Sequence, residues 1–234
     1  DAWHGRGGPL SVTQPTDASS LNDRFLRACA GHGIPSIADC NGAEQFGAFR
    51  FQRTIRDGER CSTAKAFITP HLGRANLTVI TGALSERLLF LGCRATGVRV
   101  RLTGRHEDIL ARREVILSAG AFGSPQLLLL SGVGPGKDLR ALGIDLVHDL
   151  PGVGENLQDH IDYVVGYRST SRDSFGLSAG GVLDVMRAIG QWRRNRRGRI
   201  TSNYAESGAF FRSRPDIAAP DLQLIFIPAL VDDH

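Results

Sequence analysis

The stretch Glu114 to Gly134, EVILSAGAFGSPQLLLLSGVG, constrains this chain more than any other. Val115, Ile116 and Leu117 predict a short buried strand, because consecutive large apolar residues suit a strand covered on both faces. Ala119, Gly120 and Ala121 follow, and such small residues let another backbone or a ligand approach closely. Ser124 has the oxygen that an N-cap needs, and Pro125 has the fixed φ that suits a first helical position, so a helix is expected to start there. The leucines 127–130 predict a short helix buried nearly all round, and Gly132 ends it. Strand, small-residue turn and helix form the unit in which α/β folds seat dinucleotides, because a helix N-terminus offers unpaired N–H groups. The same unit also occurs where strand and helix simply pack closely, so the pattern alone leaves both readings open.

The rest of the chain fits a globular protein. It has 234 residues, 41% hydrophobic and 22% charged, which is too apolar for a disordered chain. The longest apolar run, Leu222 to Val231, is too short to span a membrane and contains Gln223 and Pro228. The net charge of +4 is nearly all arginine, since Lys65 and Lys137 are the only lysines. It is also local: residues 193–199, RRNRRGR, hold five arginines. A uniformly basic surface for nucleic acid is therefore not expected. The arginine run reads as a solvated helix end, with a grip on phosphate or an anionic membrane as the alternative. Cys29, Cys40, Cys61 and Cys93 form no C-x-x-C pair and no metal-ligand spacing, so free thiols are expected.

Periodicity sets out the elements. Residues 17–32 predict a helix capped by Asp17 or Ser19, with Leu21, Phe25, Leu26 and Cys29 on one face. Residues 35–58 read mostly as loop. A short helix is expected from Ser62 or Thr63 through Phe67, closed by Pro70. Strands are expected at Asn76–Thr81, Ser85–Leu91, Ala95–Leu102 and Val115–Ser118, three of them in a meander with short glycine-containing turns, and another at Ile161–Tyr167. Residues 178–197 predict an amphipathic helix with Val182, Val185, Met186, Ile189 and Trp192 on one face. Further strands are expected at Phe210–Phe211 and Leu222–Ile227. The fold class is α/β with α+β elements.

Gly120-Ala121, Ser124-Pro125 and Ser131-Gly132-Val133-Gly134 together resemble the second signature of the glucose–methanol–choline oxidoreductases, FAD-dependent enzymes that oxidise alcohols. Other stretches resemble the same family in the same order: Trp3-His4-Gly5 with Gly8-Pro9-Leu10, Asn76 to Val79 followed by Arg94 to Val98, Leu150 to His160, and Ser202 to Phe210. The likeness is strongest to its choline dehydrogenase-like branch. It implies part of a Rossmann-like FAD-binding domain with a β-meander, joined to part of an antiparallel-sheet substrate domain. The corresponding division is 1–72 bridging the two, 73–158 in the FAD-binding domain and 159–234 opening the substrate domain.

The resemblance implies FAD as cofactor, a small-molecule alcohol as substrate and no nucleic-acid partner. Choline comes first as substrate and a primary aliphatic alcohol second. Oxygen and a respiratory carrier both stay open as electron acceptor. The implied location is cytoplasmic, with the periphery of the inner membrane as an alternative. Ser85 stands where the family places a residue whose backbone contacts the adenine, and Ala119 and Gly120 are expected near the adenosine. Glu206 is the sharpest substrate candidate. Placed on one strand face with Tyr204 and Gly208, it could hold a quaternary ammonium by charge and cation–π attraction, whereas a salt bridge to arginine is the plain alternative. His160 reads as fixing its own loop, and His4 as a possible lining residue. The family's N-terminal G-x-G-x-x-G is absent, and its C-terminal catalytic His is expected beyond residue 234. The chain therefore reads as the middle of a larger enzyme. Two other readings are a truncated product that binds no FAD and a basic interaction module.

Overall fold

The computed structural model describes residues 2–15, 19–168, 174 and 179–229. In chain order its elements are α1 (Ser20–Gly31), β1 (Gly47–Arg50), β2 (Ile55–Arg56), β3 (Glu59–Arg60), β4 (Ala83–Leu91), β5 (Arg94–Leu102), β6 (Arg105–Leu110), α2 (Gly120–Leu130), β7 (Val133–Gly134), α3 (Gly136–Ala141), β8 (His148–Asp149), α4 (Ala179–Asn195), β9 (Ser207–Phe211) and β10 (Leu222–Phe226). This is the mixed α/β class expected. The contacts divide the chain into two units, Asp1–Leu77 with Val165–His234, and Thr78–Val164.

In the first unit β9 runs between β1 and β10, antiparallel to both. Ala209 sits opposite Ala48 on one side and Leu224 on the other. The small side chains of Ala48 and Ala209 let α1 lie close, so Cys29, Ala48 and Ala209 form a core with Phe25, Leu26 and Ile34 packed around it. Ser19 caps α1, its Oγ accepting from the Leu21 N–H at 3.2 Å; Asp17 lies outside the described residues. Gly208 is required by close packing, since a Cβ there would lie 2.6 Å from the Leu224 carbonyl and 2.7 Å from the Phe51 ring.

The stretch 35–58 is more ordered than a loop. It holds β1 and the first strand of the β2–β3 hairpin, turned by Asp57 and Gly58 at φ 52° and 69°. Asp-Gly is a strong sequence signal for such a turn. The hairpin tip presses on α4: Trp192 Nε1 donates to the Gly58 carbonyl at 2.8 Å. Arg196 stacks 4.2 Å over the Trp192 ring and pairs with Glu59 at 3.0 Å. The helix expected at 62–67 is instead a π-turn at Ala64–Ile68 continuing into a 3₁₀ turn at Thr69–His71. Pro70 lies inside that second turn rather than closing the first, because an early helical position needs no N–H.

In the second unit β4, β5 and β6 form the meander. Its third strand, RHEDIL, is exposed throughout and held by ladder bonds and cross-strand pairs, with Arg99 bonded twice to Asp108 at 2.7 and 2.8 Å. The apolar runs at 76–81, 115–118 and 161–167 are not strands: among the described residues none has a ladder partner. An apolar run becomes a strand only when its N–H and C=O groups find another chain segment.

Helix α2 starts at Gly120, earlier than expected, with Ala119 as N-cap. Ser124 still serves that end, accepting from the Ala119 N–H at 3.0 Å from within the helix. Pro125 is also inside, where it has no N–H for the Ala121 carbonyl. The C-terminus is as expected, with Gly132 at φ 83° just past the last turn. A Cβ at Gly132 would lie 2.2 Å from the Asp145 carbonyl. Ser131 is buried; its Oγ donates to the Leu127 carbonyl and accepts from the Leu88 N–H at 2.7 Å, tying α2 to β4. Leu127 is buried, but Leu130 is half exposed, so the leucine run is not covered all round.

Candidate cofactor and substrate site

The expected cofactor-side residues lie in the second unit. Ser85 is an exposed residue of β4 paired with Val100, at a register shift between Ser85 and Arg87. Such a bulge re-aims the local backbone. Ala119 and Gly120 form the exposed start of α2. Gly120 takes φ 83°, and a Cβ there would meet nothing within 4 Å. The first turn of α2 holds no acidic residue, and no side chain caps its N2 or N3 N–H groups. An exposed helix start with open space beside its first glycine leaves room and N–H groups for a hydrogen-bond-accepting ligand.

Alongside α2 lies an open cleft of about 1040 Å³, lined among others by Phe122, Pro125, Leu129, Gly154 and Asn156. It joins two strings that stand apart in the sequence. The Leu150 N–H donates to the Gly134 carbonyl, and the Gly136 N–H donates to Asp149 Oδ1, each at 2.9 Å. These bonds bring the Gly152–Gln158 loop to the flank of α2. Phe122 and Asn156 were not singled out from the sequence. The signal is in the loop itself, where Gly154 at φ 86° and Asn156 at φ 57°, both residue types that tolerate a left-handed backbone, stand two positions apart.

The expected substrate-side residues lie in the first unit. Glu206 is 1% exposed and precedes β9. Its Oε2 accepts from the Ser19 N–H at 2.9 Å and from Asn22 Nδ2 at 2.6 Å. Ser207 Oγ donates to Asn22 Oδ1 at 2.6 Å, completing a buried polar clasp between the start of α1 and the start of β9. Tyr204 does not share a strand face with Glu206. It stands in a turn at φ 65°, half exposed, with its N–H donating to Ser202 Oγ at 3.0 Å. The extended pattern breaks at Tyr204, so alternation cannot be counted back across it. The His160 N–H donates to Asp159 Oδ1 at 2.8 Å, and His4 Nε2 lies 3.2 Å from Asp39 Oδ2.

Comparison with known proteins gives this arrangement its context. A family model described as GMC oxidoreductase matches residues 2–162, and the chain belongs to that family. It is 39% identical to an alcohol dehydrogenase [acceptor] of Pseudomonas putida, over 99% of this chain and 42% of that one. It is 41% identical to an oxygen-dependent choline dehydrogenase of Pseudomonas fluorescens, over 98% of this chain and 41% of that one. Among solved structures it resembles an FAD-dependent oxidoreductase from Chaetomium thermophilum, with TM-score 0.77 and 26% identity over 88% of this chain and 37% of the other. A pyridoxine 4-oxidase from Mesorbium loti matches with TM-score 0.59 and 36% identity over 63% of this chain and 29% of the other. The chain thus spans about two fifths of the length of the curated relatives it matches.

Proposed function

We propose that these residues are the middle portion of an FAD-dependent oxidoreductase acting on the CH–OH group of choline-like or primary aliphatic alcohols. The observation that carries this reading is the match along nearly the whole chain to relatives named for those activities, one an alcohol dehydrogenase and one a choline dehydrogenase. FAD, when bound, supplies the hydride acceptor that turns the alcohol into an aldehyde. Residues 73–158 contribute part of the FAD-binding domain, residues 159–234 the first part of the substrate domain, and residues 1–72 bridge the two. Within the first of these, the Ser85 backbone contacts the adenine, and Ala119 and Gly120 give the adenosine part a surface free of bulk. Tyr204 contributes an aromatic wall to the substrate cavity, suited to a cationic or apolar alcohol. Glu206 helps shape that wall by clasping α1 to β9.

A chimera tests this: these residues replace the matching segment of the Pseudomonas putida alcohol dehydrogenase [acceptor]. The purified chimera is expected to retain a flavin absorbance band, and that band is expected to bleach anaerobically on adding a primary alcohol or choline. Whichever of the two acts at lower concentration identifies the substrate class. A folded chimera that retains flavin but bleaches with neither alcohol overturns the proposed activity. A folded chimera without flavin overturns the cofactor assignment and supports the reading of a chain that binds no FAD.

A further inference from the structure

The loop between α1 and β1 carries the dipeptide Asn41-Gly42, which has no part in the proposed site. Of the chain's six asparagines, Asn41 alone is followed by glycine; the other five precede Asp23, Leu77, Leu157, Arg196 and Tyr204. Asn41 is exposed and stands in a turn. Its N–H donates to Asp39 Oδ1 at 2.9 Å. Its Nδ2 donates to Gln52 Oε1 at 3.3 Å, just beyond the usual range for such a bond. Gln52 Nε2 donates in turn to Asp39 Oδ1 at 3.3 Å, and His4 Nε2 lies 3.2 Å from Asp39 Oδ2. Among the described residues the Gly42 N–H donates to nothing.

We propose that Asn41 is a site of spontaneous deamidation, by way of a cyclic imide closed by Gly42. The Gly42 nitrogen gives up its proton and attacks Asn41 Cγ. The N–Cγ bond forms, the Cγ–Nδ2 bond breaks, and Nδ2 leaves as ammonia with that proton. Water then opens the five-membered ring at either carbonyl, which leaves isoaspartate or aspartate at position 41. Three features favour ring closure at this turn. Glycine at the attacking position has no Cβ to obstruct the approach, and its backbone turns freely into it. The Gly42 N–H has no hydrogen bond to give up. The Asn41 side chain is open to water and held by a single long bond. Either product carries a carboxylate in place of the Nδ2 donor. The bond to Gln52 Oε1 is then lost, and a second negative charge enters the turn that Asp39 already occupies. Isoaspartate also lengthens the backbone by a methylene, which displaces the N–H that Asp39 holds. The reaction needs neither flavin nor alcohol, so the proposal stands apart from the proposed function.

The test is storage of the folded full chain in mildly alkaline and in mildly acidic buffer, followed by tryptic mass mapping. Asn41 is the only asparagine in the tryptic peptide 28–50. That peptide is expected to gain a single mass unit at residue 41, faster in the alkaline buffer because the attacking nitrogen must lose its proton. Part of the product is expected to accept a methyl group from a protein isoaspartyl methyltransferase, whereas direct hydrolysis of the amide gives aspartate alone. Gly42→Ala separates the two routes. A Cβ at Gly42 would meet only Asp39, at 3.5 Å or more, which is ordinary contact, so the turn is kept and circular dichroism checks it. In this variant the gain is expected to slow at least about tenfold, the factor that about 1.4 kcal/mol of added barrier brings. No gain at residue 41 in the folded chain, over a time in which the urea-unfolded chain converts, overturns the proposal. A G42A chain that converts as fast as the unsubstituted one overturns it too, as does equal conversion at the other five asparagines.

Discussion

Asn22 and Glu206 stand 184 positions apart in the chain, and both are buried. Their bond, with the Ser19 N–H on the same carboxylate oxygen, ties the first helix to the start of the central strand of its sheet, beside the Ser207–Asn22 bond and the Cys29–Ala209 packing. Removing the carboxylate takes an acceptor from the half-buried Ser19 N–H and from buried Asn22 Nδ2, which keeps its bond to the Ser19 carbonyl, and a buried group that loses its partner costs about 1–3 kcal/mol. Glu206→Ala is therefore expected to lower unfolding stability by about 2–4 kcal/mol in a urea titration, whereas Glu206→Gln, which keeps an acceptor oxygen, loses less. A loss below about half a kcal/mol for the alanine variant would contradict the clasp. The sequence places Glu206 on a strand face with Tyr204 and Gly208, whereas in the structure it stands just ahead of β9. The sequence does not show the partners, because a hydrogen bond across that many residues leaves no local spacing to read. Tyr204 departs from the expected strand face for a different reason: its left-handed φ is uncommon for an aromatic residue, and the turn signal lies just before it, in Ser202-Asn203, where Ser202 Oγ accepts from the Tyr204 N–H.

The elements held by local rules were legible, and those that depend on a partner were not. Alternation and turn residues marked β4 and β5 almost to the residue, and the helical period marked α1 and α4. Strand β6 escaped because every one of its side chains is exposed, so no apolar alternation exists to find. The runs at 76–81, 115–118 and 161–167 erred in the opposite direction, since apolar content suggests a strand but only backbone pairing makes one. Two measurements check the meander and its link to α2. The Arg99 guanidinium, chiefly by hydrogen bonding, holds the Asp108 carboxyl below the usual carboxylate range. A depressed carboxyl favours the folded state above the ordinary aspartate value, and that contribution disappears as pH falls through the lower folded value. A carboxyl NMR titration is expected to place the Asp108 midpoint below that of an unpaired aspartate, and Arg99→Gln is expected to raise it. Ser131→Ala, which leaves the Leu88 N–H buried without its acceptor, is expected to cost about 1–3 kcal/mol. An unchanged midpoint in the urea titration would remove Ser131 as the tie between α2 and β4.

At the scale of the molecule, the sequence carried the family more securely than it carried the site. Motif strings spread over most of the chain identify the GMC oxidoreductases because their order is improbable by chance. The cleft beside α2 arises only when Gly134 and Leu150, and Gly136 and Asp149, meet through hydrogen bonds. The central claim is that residues 73–158 carry the adenosine side of an FAD site. Backbone amide shifts of the isotopically labelled chain during titration with FAD test it most directly. Saturable shifts at Ser85, Ala119 and Gly120, reproduced by ADP and absent around Cys29, Ala48 and Ala209, are the predicted result. Unmoved amides at Ser85, Ala119 and Gly120, or shifts confined to the other unit, would contradict it.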